Sequence, residues 1–293
     1  MSNNIEVRIA EYRAFIEEHL KCFYAQYEKE PQQLLFDAVQ YSLLSGGKRL
    51  RPIFTLEFCR MCGEDWKKAA PFASAVEMIQ TYSLIHDDLP CMDDDDLRRG
   101  RPTNHKVYGE GMAVLAGDAL LTDSFLMAST AKLKHPEDMA RAIGALAQNA
   151  GSLGMVGGQV LDISSEERLL TEEEVLAIQS RKTGALIKAA CLLGVIAAGG
   201  TQEQLNAASK FASALGLAFQ IRDDMLDVIG NEQELGKAVG TDAVKNTFVR
   251  LYGLEKCEEL VSRYTDEALN ALEVFPDHQF LRDLALQLPQ RTV

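Results

Sequence analysis

Apolar residues in this chain return at three- and four-residue steps almost from end to end, and nowhere alternate as a half-buried strand requires. Ile5, Ile9, Tyr12, Ile16, Leu20 and Phe23 set that rhythm and predict one amphipathic helix over 4–29, ended by Pro31. The same period predicts helices over 32–44, 50–61, 67–89 and 109–133, with Gly46-Gly47 closing the first of these and Pro136 following the last. A further helix is predicted over 136–163, carrying Gly151, Gly154, Gly157 and Gly158. Thr171 ahead of Glu172, Glu173 and Glu174 is a capped, acid-rich helix start, and that helix should reach Ala198, just before Gly199-Gly200. Thr201 with Gln204 opens the next, to 229; after a polar loop over 230–247 come helices over 248–272 and 278–288. No low-complexity segment or linker divides the chain. Helix stripes must be buried against other elements, here other helices, so the expected fold is all-α in a single domain over 1–293.

Hydrophobic side chains make up 47% of the residues and charged ones 25%, enough for a soluble protein with a sizeable core. The balance of 43 acidic against 30 basic side chains, net −13, argues against general binding to nucleic acid or anionic membranes. Met1 to Glu6 is polar with no apolar core behind it, unlike a secretory leader. The longest nearly apolar run, Ala189 to Gly200, falls short of the roughly 20 residues that span a bilayer, so no transmembrane segment is expected. Of the six cysteines only Cys59 and Cys62 lie close together, on a helical pattern and without further close metal-ligand partners. That reads as reduced thiols in a cytoplasmic protein. Glycine costs roughly 1 kcal/mol against Ala inside a helix, so the four over 151–158 point either to close helix approach or to a wall beside a ligand. The helices over 109–133 and 136–163 are also the candidate homodimer face.

The chemistry gathers where the helix over 67–89 ends. Tyr82-Ser83-Leu84-Ile85-His86 runs into Asp87-Asp88, crosses Pro90, and enters Asp93-Asp94-Asp95-Asp96 before Arg98, Arg99 and Arg101. Like charges this crowded repel, and packing alone gives no reason for them at the end of a buried helix. A second group, Asp223-Asp224-x-x-Asp227, emerges from another apolar run, with Asp223 and Asp227 one turn apart on one face. Oxygen-only ligands with no convergent His or Cys favour Mg²⁺, which binds readily together with substrate phosphates. Cations complete the pattern. Gly46-Gly47-Lys48-Arg49-Leu50-Arg51-Pro52 sets three of them around a helix start, where free N–H groups also draw an anion, and arginines suit bidentate phosphate recognition. No Gly-x-x-x-x-Gly-Lys-Ser/Thr loop is present. Two diphosphate sites, one held by metals and one by Lys and Arg, flank an apolar helical interior. That combination describes ionisation of an allylic diphosphate and attack by a second, apolar diphosphate.

These residues resemble the trans-isoprenyl diphosphate synthases, and among them the bacterial-type farnesyl diphosphate synthases. The resemblance runs from about Gln40 to Glu255 and includes the Gly46–Pro52 cluster, Ser83 through Gly100, and Pro102-Thr103-Asn104-His105. It continues through Gly157-Gly158-Gln159-x-x-Asp162, Lys182-Thr183-Gly184, Phe219-Gln220-Ile221-Arg222-Asp223-Asp224 and Leu235-Gly236-Lys237. It implies the isoprenoid synthase type I fold, a helical bundle around a deep central cavity with the two Asp motifs facing each other across its mouth. It implies Mg²⁺, three ions with substrate bound, in a site formed by Asp87, Asp88, Asp93, Asp223, Asp224 and Asp227, with Asp87, Asp88 and Asp223 the direct ligands. Arg98 and Lys182 would hold the allylic diphosphate, with Lys237 closing over it, and Lys48, Arg51, Arg99 and Gln80 would hold isopentenyl diphosphate. Thr183 and Gln220 would turn oxygen dipoles toward the allylic cation. The released diphosphate would take the proton, leaving His86 and His105 structural.

Two departures from the family pattern stand out. Gln80 occupies a position where many bacterial relatives carry His, and the segment Gly240 to Phe248 is about two residues short, with Phe248 for a common Tyr. Tyr82, five residues before Asp87, lies about 7.5 Å down the helix from the metal site and is the candidate floor that limits the product to the farnesyl (C15) length. Rival expectations are a geranylgeranyl or longer-chain synthase, a class I terpene cyclase, and a silent regulatory subunit. The Asp-rich second motif with Lys48 and Arg51 disfavours the cyclase, and the intact carboxylate and Gly-Gly-Lys-Arg clusters disfavour the subunit.

Overall fold

The computed structural model describes residues 2–27, 29–165, 168–235 and 246–288. Among them regular structure is helical except for one hairpin of two-residue strands, so the all-α expectation holds. Two units pack within themselves: Met1–Ile143 with Ile196–Gly199, and Gly144–Val195 with Gly200–Val293.

In the first unit α1 (Ser2–Ala25) ends short of the expected 29; it buries Ile5, Tyr12, Ile16 and Leu20 of the expected stripe, leaves Ile9 and Phe23 half-buried, and buries Tyr24 in place of Phe23. Helices α2 (Gln33–Leu43) and α3 (Leu50–Met61) follow, and a 3₁₀ turn at Trp66–Ala69 leads into α4 (Ala70–Asp87), after which comes the short α5 (Asn104–Tyr108). The turn forms because the Asp65 side chain takes the Lys67 N–H at 3.1 Å, while Trp66 packs edge-on to Tyr12 and Phe15. α4 is the centre of this unit. It is apolar nearly all round, is buried from Phe72 to Ile79 without a break, and packs on α1, α2, α3 and α6 (Glu110–Ser129), as such a helix must. Charges that enter this core are paired. Glu57, fully buried, accepts from Tyr12 at 2.5 Å and from Arg60 at 2.7 Å, and buried Arg49 meets buried Glu77. α6 buries Ala113, Ala116, Gly117, Leu120, Ser124 and Met127 and leaves Val114, Leu115 and Leu126 exposed. By length and composition alone α6 could cross a bilayer, a property the sequence reading had not assigned to it; here its buried stripe is packed on α4. Cys59 and Cys62 are free thiols, both pushed up to about 12 by burial.

The helix expected over 136–163 is two, α7 (Asp138–Ala150) and α8 (Met155–Ile163). The Gly154 N–H turns back to the Gly151 carbonyl at 2.9 Å, and a side chain at 154 would collide with the Asn149 carbonyl. In the second unit Thr171 caps α9 (Glu172–Gln179) as expected, with Glu174 returning the bond to the Thr171 N–H at 2.9 Å. That helix does not run on to 198 unbroken. A π-turn at Ser180–Gly184 separates it from α10 (Ala185–Ala197). Helix α11 (Gln202–Leu235) continues through Gly230 instead of stopping at 229, since one glycine costs about 1 kcal/mol and does not by itself end a helix. α12 (Phe248–Ala271) bends at Gly253, whose φ of 73° is left-handed, and α13 (Gln279–Gln287) follows. Leu170, Val175, Ile178, Ile221, Met225, Phe248, Leu260 and Val261 form the core where α9, α11 and α12 meet.

Candidate active site

In the first unit α4 delivers Asp87 as its last residue and Asp88 as its cap. Beyond Pro90 the chain folds back, so that the Asp93 N–H donates to the Asp87 carbonyl at 2.9 Å and Asp94 takes a left-handed φ of 53°. The backbone of Asp93 is thus brought back to that of Asp87, while among the described residues no three of the carboxylates come together as a metal-holding group. Asp88 is buried and Asp93 exposed.

The arginines are placed by the small hairpin, β1 (Leu97–Arg98) with β2 (Arg101–Pro102). Its turn residues, Arg99 and Gly100, have φ of 54° and 73°, the two positive values that a tight two-residue hairpin turn needs. Neighbouring side chains then point opposite ways. Arg98 brings Nε and Nη2 to one oxygen of Asp88 at 2.6 and 2.5 Å and reaches Asp95 at 3.3 Å. Burial pushes the Asp88 carboxyl up, against the pull of Arg98. Arg99 instead donates to the Gly46 carbonyl, and its guanidinium lies where a side chain at Gly47 would be, 2.7 Å away. Asp88, Arg98 and Arg99 line one cavity with Ser45, Thr81 and Leu84. Lys48, Arg51 and Gln80 do not line it. Lys48 is exposed; Arg51 is half-buried, with a buried Nε that has no hydrogen-bond partner and a pKa lowered by burial. Of the Gly-Gly-Lys-Arg cations Arg49 has a packing role, held by Glu77 and the Leu43 carbonyl. Asp95 and Asp96 position the loop, through Arg98 and, at 2.6 Å, Lys106. His86 is structural, its Nε2 against the Val114 carbonyl at 3.1 Å.

In the second unit the π-turn carries Lys182 and Thr183. Lys182 pairs with Asp162 of α8 at 2.6 Å. The turn fits because Gly158 of α8 has no side chain to strike the Lys182 backbone, which resolves the glycine-rich helix as close approach at that point. Gln220 of α11 donates to Thr183 Oγ1 at 3.0 Å and to Gln179 Oε1 at 2.6 Å. Asp223 and Asp227 follow on α11. Asp224 is turned to the protein, where its Oδ2 accepts the Phe248 N–H at 2.7 Å. Burial raises the Asp224 carboxyl to about 6, partly offset by that bond and reinforced by Asp227. Gln179 and Asp162 have no role assigned from the sequence, and Arg49, expected among the anion-drawing cations, is structural instead; the signal for each is a side-chain partner far away in the chain. Lys237 lies outside the described residues.

A helical fold with one short hairpin among the described residues, two Asp-rich motifs and paired cations suited to diphosphate point to a class: a helical enzyme acting on diphosphate esters. The chain belongs to the polyprenyl synthetase family, whose model matches residues 32–273. It is 43% identical over 272 residues to a farnesyl diphosphate synthase of Bacillus subtilis, covering 92% of this chain and 91% of that one. It is 46% identical over 266 residues to a heterodimeric geranylgeranyl pyrophosphate synthase large subunit of Arabidopsis thaliana, covering 88% and 71%. Among solved structures, an FPP/GFPP synthase from Zymomonas mobilis superposes with a TM-score of 0.89 at 34% identity, covering 98% of this chain and 100% of that one. The chain is therefore a prenyltransferase that elongates prenyl chains.

Proposed function

We propose that this member of the family is a farnesyl diphosphate synthase, acting as one polyprenyl synthetase domain over 1–293. It joins isopentenyl diphosphate head to tail to dimethylallyl and then geranyl diphosphate, releases diphosphate, and depends on Mg²⁺. The observation that carries the C15 product is Tyr82. It is 6% exposed and lies on α4 about one and a half turns before Asp87, where an aromatic ring can stop a growing tail.

The donor set suits the metal. Asp87, Asp88, Asp93, Asp223, Asp224 and Asp227 offer oxygen alone, and Mg²⁺ needs only one or two carboxylates beside water and substrate phosphate. Among the described residues no three His, Cys, Asp or Glu side chains form a ready cage. Asp87, Asp88 and Asp223 are the proposed direct ligands, and Asp224 gives one oxygen to the Phe248 N–H. When bound, Mg²⁺ supplies positive charge against the departing diphosphate; three ions are expected.

The remaining work belongs to side chains. Arg98, Lys182 and Lys237 hold the allylic diphosphate, and Lys48, Arg51, Arg99 and Gln80 hold isopentenyl diphosphate. Arg98 and Lys182 each already carry a carboxylate partner, Asp88 and Asp162. The cations are therefore aimed before substrate arrives, and they exchange one anion for another with little loss of rotamer freedom. Thr183 and Gln220 face their dipoles to the allylic cation as the C–O bond breaks. The isopentenyl double bond then attacks C1, and the diphosphate that leaves takes the proton. A homodimer is proposed through exposed apolar residues of α6, Val114, Leu115 and Leu126, and of α8, Val156 and Val160.

The relatives named geranylgeranyl synthases favour a second reading, a C20 product from the same chemistry. Incubation with Mg²⁺, isopentenyl diphosphate and dimethylallyl diphosphate, followed by product chromatography, separates the two. Farnesyl diphosphate as the end product supports the proposal, a C20 end product replaces it with the second reading, and no prenyl product from folded protein rejects both.

A further inference from the structure

The amide of Gln220 is held from one side only. Its nitrogen has two hydrogens to give, and both are taken within one stretch of chain, by Thr183 Oγ1 at 3.0 Å and Gln179 Oε1 at 2.6 Å. Those two acceptors bracket the π-turn. Gln179 is the last residue of α9, and Thr183 is the fourth of the five residues in the turn. The turn is fixed on two sides: the Lys182 backbone lies against Gly158 of α8, and Gly184 lies against Gly216 of α11, with 3.4 Å between the Gly184 Cα and the place of a Gly216 Cβ. Gly216 is one helical turn before Gln220 on the same helix, so the surface that carries both acceptors cannot drift relative to the amide.

We infer that Gln179 is a positioning residue for prenyl transfer: its bond to the Gln220 amide gives that side chain a second anchor and holds its dipole beside the developing allylic cation. The inference rests on the reading of Gln220 given under Proposed function. Thr183 alone leaves the Gln220 amide a single anchor about which it can swing, and the bond to Gln179 supplies the second. An amide swung away withdraws its dipole from the developing positive charge, which raises the barrier to ionisation and leaves diphosphate binding untouched. Gln179 contacts neither diphosphate in this scheme, and its effect is confined to turnover.

The test is a double-mutant cycle on the full chain with Mg²⁺, geranyl diphosphate and isopentenyl diphosphate, following kcat and both KM values. Gln179→Met is expected to lower kcat by at least about tenfold, short of the roughly 10² to 10³ lost with a direct electrostatic partner, with both KM values unchanged. Gln179→Glu, which can only accept, is expected to restore kcat. In a Gln220→Met background, Gln179→Met is expected to cost nothing further. An ammonium analogue of geranyl diphosphate gives a readout a packing role would not move: its affinity falls in Gln179→Met while that of an uncharged analogue does not. The inference is overturned if Gln179→Met leaves kcat intact, or if it costs the same factor with and without Gln220. Unchanged kcat in Gln220→Met itself overturns the underlying reading of Gln220 and the inference with it. Circular dichroism and melting of each variant separate loss of fold from loss of turnover, and Gln179→Leu, which likewise cannot accept, carries the test if Gln179→Met does not fold.

Discussion

The imidazole of His86 lies so close over Gly117 that a side chain of any size there would overlap the ring. α4 and α6 are thereby locked together one residue before Asp87, the first carboxylate of the site. Gly117→Ala is expected to destabilise the protein by about 1–3 kcal/mol through overpacking, although alanine is otherwise the better helix former. Urea unfolding measures it. In a His86→Ala background the same substitution should become neutral or stabilising, and an equal cost in both backgrounds would show that the ring is not the cause.

Tyr82 is expected to set product length. Tyr82→Ala and Tyr82→Met should move the main product from C15 toward C20, read by chromatography of the dephosphorylated alcohols. Unchanged C15 output from both variants removes this residue as the floor.

Asp224 acts at a distance as a cap for α12 through its bond to the Phe248 N–H. Asp224→Ala should cost about 0.5–2 kcal/mol, the usual loss when a helix cap is truncated, and Asp224→Asn, which keeps an acceptor, should cost less. Both are measured by urea unfolding in the presence of EDTA, so that no metal contributes. Equal losses in the two variants would count against the cap.

His19, half-buried with Nδ1 2.8 Å from Ser74 Oγ, has its pKa held below the ordinary 6.5 by burial. Between that lowered value and 6.5 the unfolded chain binds more protons than the folded one, so this contribution to stability is full above pH 6.5 and is lost as pH falls through the folded value. His19→Gln should flatten the decline in melting temperature on acidification from pH 7. A slope identical to that of the parent protein would place the titrating group elsewhere.

Much of the helical plan could be read from the sequence because it depends on spacing alone. The stripe of α1, the Thr171 cap and the delivery of Asp87 by an apolar helix each need only neighbours within a few turns. What escaped that reading depends on tertiary contact or on a local change of helical pitch. Gly151–Gly154 could sit in a helix until the Asn149 carbonyl is seen to occupy the space beside Gly154. The Leu97–Pro102 hairpin is too short to show alternation, yet it decides that Arg98 goes to Asp88 and Arg99 to Gly46. Three cations in Gly-Gly-Lys-Arg-Leu-Arg look equivalent in sequence, and only the partner 28 residues on, Glu77, marks Arg49 as structural.

The π-turn has a consequence for how this chain can vary. It holds its extra residue within a single turn, so α10 leaves it nearly in the phase of a regular helix one residue shorter. Deleting one residue of 180–184 would let the helix close into α geometry with its flanks close to register. What would be lost is the widened turn that brings Lys182 to Asp162 and Thr183 to Gln220. The surplus residue serves the site and not the continuity of the helix.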